Sequence, residues 1–305
     1  MRGNNTNPSS RMIKSAWEPY LLLLPVLASM LFMFGYPLIN SVFLSFTHYR
    51  LIEPNNIHFN GLENYANLFQ KDEYLGLVAM NSLKWVAGCV SLQFILGLVL
   101  ALALKKPFRG RGLYQSIIFV PWAFSSFAVG LMFRWSFNGE YGVINDLLLK
   151  SGLVREKISW LGSTNLSLLT VIIAMVWIGV PFFGIMLLAA LQSIPSEIYE
   201  AAVLDGCGAI RKFFSVTLAY IKPTIIVTLL LRTIWVFNAV EMILVVTEGG
   251  PTYSSETLAS YMYSRAFSTY DFGLAAALGM VFMIGLSVYA LFFLRVTKFE
   301  EAGDF

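Results

Sequence analysis

Long apolar runs alternate with shorter polar segments over almost the whole chain. Residues 20–46, 83–104, 113–133, 167–191, 224–246 and 272–294 are each nearly free of charge. A helix that crosses the hydrocarbon core of a bilayer needs about 20 apolar residues, so each run predicts one spanning helix. A transmembrane β-barrel would show alternating segments of about ten residues, and the chain has none. The expected fold is all-α and polytopic, with six transmembrane helices. The first run is too long for the core of a signal peptide and lacks a small-x-small cleavage site, so it reads as an uncleaved span. Pro25 and Pro37 lie in this run, Pro121 in the third and Pro181 in the fourth; a bundle tolerates such kinks because neighbouring groups satisfy the freed backbone.

The polar segments differ in character. Residues 47–82 contain the turn Asn60-Gly61, followed by an amphipathic stretch at 63–70 that suits an interfacial helix. Residues 105–111 are short and strongly basic, with Lys105, Lys106, Arg109 and Arg111. Residues 134–166 and 248–271 are longer polar connections. The most distinctive segment, at 196–223, reads SEIYEAAVLDGCGAIRKFFSVTLAYIKP. Ser196 is placed to cap a helix, and Glu197 suits the positive end of its dipole. Asp205-Gly206 is a turn signal, because Gly takes a left-handed backbone at no steric cost. A second short helix is expected from about Ala209, with Ile210, Phe213, Phe214 and Thr217 on one face. The segment reads as a helix–turn–helix knob outside the membrane. Small Ala201 and Ala202 would let another surface approach, and Glu200 would accept from a partner's Arg or Lys. An ordinary polar loop with capped ends has the same features.

Composition agrees with the pattern. Of 305 residues, 57% are hydrophobic and 13% charged, against about a quarter charged in soluble domains. The net charge of +3 is small and gives no reason to expect nucleic acid; the placement of the charges carries more. With six spans both termini share one side. Arg2, Arg11, Lys14, Lys105, Lys106, Arg109, Arg111, Arg211, Lys212, Lys222, Arg295 and Lys298 fall on that side, and Arg50, Lys71, Lys150, Arg155, Lys157 and Arg265 on the other. This twofold bias places the termini, the 105–111 loop and the knob in the cytosol. The expected organisation is a cytosolic N-terminal segment at 1–18, a membrane domain at 19–296 carrying the cytosolic loop 195–223, and a cytosolic tail at 297–305.

Candidate chemistry is sparse. No phosphate-binding G-x-x-x-x-G-K-[ST], nucleophile elbow or H-E-x-x-H occurs, and the cysteine and histidine spacings suggest no metal site. Cys89 and Cys207 should lie at different depths, unpaired; His48 and His58 read as solvated. A channel or transporter is favoured over an enzyme, with no catalytic residue and no cofactor in this chain. The fifth run is the richest in polar groups. Its Trp235, Asn238 and Glu241 recur every three residues and would share a helix flank. Polar groups at membrane depth mark solute pathways by default, Asn238 and Glu241 bonding a solute and Trp235 stacking on it. Interhelical bonding is the alternative, as it is for Gln93, Ser125, Ser126 and Trp177.

The knob sequence EAAVLDGCGAIRKFFSVTLAYIKP resembles the E-A-A…D-G-A…F…I-x-L-P…P signature of binding-protein-dependent ABC importer permeases. GLENYANLF, LYQSIIFVPWAFSSFAVGLMFRWSFN, LQSIPSEIYEAA and LVVTEGGPTYSSETLASYMYSRAF look like the carbohydrate-uptake branch, the maltose and glycerol-phosphate type. The likeness spans about 17–296. Cys207 stands where the family has Ala, and Ala219 where it usually has Pro, so the knob's second helix should run on more smoothly. The resemblance implies a type I ABC importer transmembrane domain in a bacterial or archaeal cytoplasmic membrane. It implies that Glu200, Ala201, Ala202, Asp205, Gly206 and Arg211 couple the chain to a cytosolic ATPase, Glu200 by pairing with a basic residue and Gly206 by setting the bend. Two ATPase subunits binding ATP and Mg, a second and different permease chain, and an extracytoplasmic solute-binding protein that delivers a sugar are the implied partners, with the 248–268 loop one contact of the last. The alternatives are a permease of the same superfamily for a polyol, phosphodiester or other small solute, or a stand-alone secondary transporter.

Overall fold

The computed structural model describes residues 18–297. Arg2, Arg11, Lys14 and Lys298, and nearly all of the segments expected at 1–18 and 297–305, lie outside them. Helices α1 (Glu18–Met30) and α2 (Tyr36–Ser45) are joined by a π-helical turn at Leu31–Gly35 into one span. Strands β1 (Thr47–His48) and β2 (His58–Phe59) form a minimal antiparallel hairpin with Thr47 opposite Phe59. Next come α3 (Glu63–Gln70) and the long α4 (Leu75–Lys105). Helices α5 (Arg111–Phe119) and α6 (Ser126–Ser136) flank a 3-10 turn at Val120–Ala123, and α7 (Val143–Lys150) lies in the connection that follows. Helix α8 (Ser167–Gln192) leads to α9 (Ser196–Leu204) and α10 (Ala209–Lys212). A π-helical turn at Phe213–Thr217 joins α10 to α11 (Leu218–Phe237). Helices α12 (Val240–Val246), α13 (Leu258–Phe267) and α14 (Phe272–Thr297) complete the described chain.

Among the described residues five helices are long and apolar enough to cross a membrane, or six if the bent pair α5–α6 counts as one. Two of the expected runs are corrected. The third is not one kinked helix: its halves meet at 91°. Phe124 and Ser125 are extended, and the Ser125 hydroxyl accepts from Ala128 N, so it caps a new helix instead of continuing the old one. The fifth run starts earlier and ends sooner than 224–246. Its helix is continuous over Ala209–Phe237, because Ala219 keeps the backbone N–H that Pro would remove. It stops at Asn238, whose Nδ2 donates to Ile234 O at 2.8 Å and competes for the ladder. The second span also begins earlier than expected, at Leu75.

Helix α8 is the hub. Its most apolar stretch is 72% buried inside the fold, whereas none of that of the first span is buried. Phe183, Leu187 and Leu191 of α8 are buried with Trp85 and Cys89 of α4, Val236 of α11 and Ile243 of α12. Without water-driven hydrophobic association between spans, such packing depends on close approach. Gly97 of α4 supplies it: a Cβ there would sit 2.4 Å from Phe183 Cβ.

One buried polar pair crosses this core. Arg232 of α11 is 6% exposed, and its Nε donates to Gln93 Oε1 at 2.7 Å. Gln93 Nε2 in turn donates to Met175 O in α8 at 2.7 Å. The guanidinium lies 5.8 Å from the Phe182 ring centre. A Cβ on Gly179 would be 2.3 Å from Arg232 Nη2 and 2.2 Å from Gln93 Nε2. Gln93 is therefore interhelical bonding of the kind the sequence left open, and it ties three spans together.

Gly97→Ala should force α4 and α8 apart and cost about 1–3 kcal/mol. Gly285→Ala, where an added Cβ meets nothing within 4 Å, should be neutral or better. Thermal unfolding of the two purified variants in detergent checks this.

Candidate functional site

The knob is present, with two adjustments. The helix α9 is N-capped by Pro195, and no side chain bonds its first turn, so Ser196 is the first helical residue and not the cap. Glu197 does lie in that turn. At the other end, Gly206 N bonds Val203 O at 3.0 Å and Cys207 N bonds Ala202 O at 2.9 Å. This is a Schellman closure, which needs a left-handed residue after the helix; Gly206 has φ +72°. Helix α10 then starts at Ala209 as expected.

Side chains on the knob sort into two faces. Glu200, Ala201, Asp205, Gly206 and Arg211 are exposed. Ala202 is buried, so it packs inward and cannot meet a partner as the sequence suggested. Glu200 lines a hollow of about 460 Å³ with Tyr199, Val203, Leu204 and Lys212. Leu204 is 88% and Ile210 78% exposed. Ile210 was expected on one face of the second helix; Leu204 was not singled out, although an exposed Leu beside a Schellman turn is legible as an anchor. Ile210 and Phe214 point outward while Thr217 is buried, so the expected shared face of the second helix is split by the π-helical turn. Cys207 and buried Cys89 are both free thiols.

Within the spans, the five candidate pathway residues separate. Trp235 stands against Phe182 at 5.3 Å, and Phe182 against Trp122 at 6.3 Å. Trp177 stands against Phe124 and Phe133 at 6.5 and 6.0 Å. Ser125 follows Phe124 at the bend of the third run and is engaged as the cap of α6. Trp122, Phe124, Trp177 and Trp235 are all partly or largely exposed. The rings form two clusters, and Trp122 and Phe124 at the bend between α5 and α6 contribute one ring to each. Trp235, Asn238 and Glu241 do not share a helix flank. The break at Asn238 puts Glu241 on α12, where it lines a separate hollow with Tyr263. Asn238 lines a groove of about 400 Å³ with Met262, Gly279, Phe282 and Ser287.

At the end of the bundle opposite the knob, polar side chains staple the connections. Asn64 Nδ2 donates to Ser45 O and Thr47 O, and Tyr65 OH to Ser45 Oγ, which is what the GLENYANLF segment does. Asn81 Nδ2 donates to Tyr253 O and Ser254 O. Asn145 bonds Gly139 O, Ile158 O, Ile158 N and Trp160 Nε1. His48 and His58 stack at 5.2 Å in the β1–β2 hairpin. Beneath the 248–257 loop, Asp72 accepts from Tyr261 OH and from Arg265 at 2.9 Å. Burial, then the bond to Asp72, push the Tyr261 phenol up. Glu256 is buried and accepts from Ser260 and Ser264. Desolvation raises its carboxyl above the ordinary value despite those bonds and Arg265. No group of three or more metal-ligating side chains occurs among the described residues.

The comparisons with known proteins agree with this architecture. Residues 93–297 match the family model described as binding-protein-dependent transport system inner membrane component. The chain is 34% identical to the sulfoquinovosyl glycerol transport system permease protein SmoG of Agrobacterium fabrum, over 92% of this chain and 90% of that one. It is 31% identical to the trehalose/maltose transport system permease protein MalF of Thermococcus litoralis, over 98% and 99%. It is 31% identical to the diacetylchitobiose uptake system permease protein DasB of Streptomyces coelicolor, over 99% and 92%. Among solved structures, a chain of a bacterial ABC transporter that imports the acidic polysaccharide alginate superposes with a TM-score of 0.79 at 24% identity. That match covers 92% of this chain and 95% of the other.

Because the Glu256 carboxyl is raised in the folded state, the fold holds more protons than the unfolded chain above the ordinary value of 4.5. Its contribution is fully present below 4.5 and is lost as pH rises through the folded value. Glu256→Gln should therefore remove a decline in stability of the connections opposite the knob as pH rises above 4.5. Hydrogen exchange across residues 248–268 reads this out.

Proposed function

The chain belongs to the family of binding-protein-dependent transport system inner membrane components, and we propose that it forms one half of the path of an ATP-driven importer for a carbohydrate. It is a multi-pass subunit of the cytoplasmic membrane that transports and does not catalyse. The bent pair α5–α6 serves as the third of six spans, and the termini and knob face the cytosol. The ends of the bundle support this sidedness. Basic residues 105–111 meet the knob at one end, where Lys105 Nζ is 2.7 Å from Tyr199 OH. The sparser basic residues join acidic partners at the other, Arg50 with Asp271 and Arg265 with Asp72. Short cytosolic loops carry the excess of Lys and Arg.

The observation that carries the reading is the knob itself. Among the described residues, the side chains of Glu200, Asp205 and Arg211 are exposed and have no hydrogen bond or ion pair; Glu200 lines a hollow with exposed Leu204, and Ile210 is exposed on the same knob. Polar groups left for a partner around an apolar anchor describe a docking surface. The partner is a pair of ATPase subunits, which bind ATP and Mg; this chain binds neither. Glu200 pairs with a basic residue there, Ala201 allows close approach, and Gly206 fixes the bend. A second, homologous permease completes the path, and a solute-binding protein delivers cargo at the outer end.

A sugar is favoured because the relatives named above carry sugars in their names, and because exposed indole planes suit pyranose C–H surfaces. Trp177 and Trp235 supply stacking planes, with Ser125 at the bend. Asn238 and Glu241 act from their separate hollows at the outer half of the path.

The tagged chain, purified in mild detergent, should bring an ATPase and a second permease with it. Glu200→Lys should lose the ATPase, and Gly206→Pro should keep the chain inserted but abolish ATP-driven uptake. Solute movement in liposomes by the chain alone, without ATP, would overturn the reading. In the reconstituted complex, trehalose, maltose and diacetylchitobiose are the sugars to screen. Trp177→Ala and Trp235→Ala should each reduce uptake about 2- to 13-fold, from about 0.5–1.5 kcal/mol of lost ring contact, while the ATPase stays bound. Asn238→Ala should shift solute affinity without loss of ATPase.

A further inference from the structure

The contact between the short basic loop and the knob is an ordered relay. Lys105, the last residue of α4, places Nζ 2.7 Å from Tyr199 OH and 4.0 Å from the centre of the Tyr199 ring. Tyr199 OH lies 3.1 Å from Thr217 Oγ1. Thr217 is buried at the end of the π-helical turn, and its hydroxyl lies 3.5 Å from Lys212 O. An ammonium has donors only. Tyr199 must therefore accept from Lys105, and either hydroxyl can donate in its bond to Thr217. The contacts run in order from Lys105 to Tyr199 to Thr217 and the backbone where the knob enters α11.

Tyr199 is the one side chain of α9 that makes a hydrogen bond or ion pair among the described residues. Its neighbours on α9 either face out, as Glu197 and Glu200 do, or pack by apolar contact, as Ile198 and Ala202 do. Through one phenol the knob is fastened to the ends of two spans, α4 and the continuous helix Ala209–Phe237. The π-helical turn lies at the join, where a wider helical turn commonly marks a functional site.

We propose that Tyr199 is the positioning residue that makes the knob, the end of α4 and the start of α11 move as one body, so that a shift at the ATPase reaches two spans at once. This rests on the importer reading above. Lys105 acts with it, as a charge-assisted donor that also sits over the ring. Tyr199→Phe keeps the ring under the ammonium and removes the relay, so it isolates the hydroxyl.

The test is hydrogen exchange by mass spectrometry on the complete complex with its ATPase, without nucleotide and trapped with ATP and vanadate. In the unaltered protein, nucleotide should change exchange at 196–205 and also at 102–112. In Tyr199→Phe the change at 196–205 should persist, and that at 102–112 should fall at least threefold. Lys105→Ala should do the same, and Lys105→Arg, which still donates to the phenol, should restore the response. A role in folding alone would lower ATPase recovery in Tyr199→Phe and leave the nucleotide response of the recovered complex intact. An equal response at 102–112 in Tyr199→Phe and the unaltered protein, or none there in the unaltered protein while the knob responds, would sink the joint alone. If no ATPase accompanies the chain, or nucleotide alters exchange nowhere, the importer reading falls and takes the joint with it.

Discussion

Inside a bilayer no water is present to satisfy a polar group, so each one must find its partner within the bundle. The most demanding case is the Arg232 guanidinium, buried at the crossing of α4, α8 and α11. It is met by Gln93 and the Phe182 ring, and Gln93 is met by a carbonyl of α8. The pair leaves room for no side chain at Gly179. The helix crossing, the glycine and the two polar residues therefore depend on one another. Interhelical bonds in membranes are individually modest, about 0.6–2 kcal/mol, but losing one partner here would strand a charge. This pair ties α4, α8 and α11 together at their crossing.

The same constraint explains where helices break. At Ser125 a hydroxyl caps the new helix, and at Asn238 an amide closes the old one. The connections opposite the knob are closed by Asn64, Asn81 and Asn145, each bonding two or more backbone groups. Polar side chains in this protein mainly settle backbone groups. That places the GLENYANLF and EGGPTYSSE segments, which look functional in sequence, in the architecture of the end opposite the knob.

The knob inverts this economy. Glu200, Asp205 and Arg211 have no internal partner among the described residues, and Leu204 and Ile210 expose more apolar surface than a finished surface needs. Among the described residues Tyr199 is the one α9 side chain hydrogen-bonded inward, to Lys105 of α4 and Thr217 just before α11. A small element with a free outer face and a fastened inner one suits a lever between an ATPase and a membrane path.

Hydropathy and length alone determined that the chain is helical and spans a membrane several times, because the bilayer leaves few other solutions for runs of about 20 apolar residues. The Asp205-Gly206 turn and the start at Ala209 were legible because they rest on local backbone chemistry. Ala219 in place of Pro foretold the continuous helix for the same reason. Tertiary structure decided what spacing could not. A three-residue repeat put Trp235, Asn238 and Glu241 on one flank only while the helix was assumed unbroken, and an amide competing for its own ladder broke it. Ala201 and Ala202 are alike in sequence, but packing turned one outward and buried the other. Gln93 and Lys105 found their partners 139 and 94 residues away, and no local pattern specifies pairings at that distance.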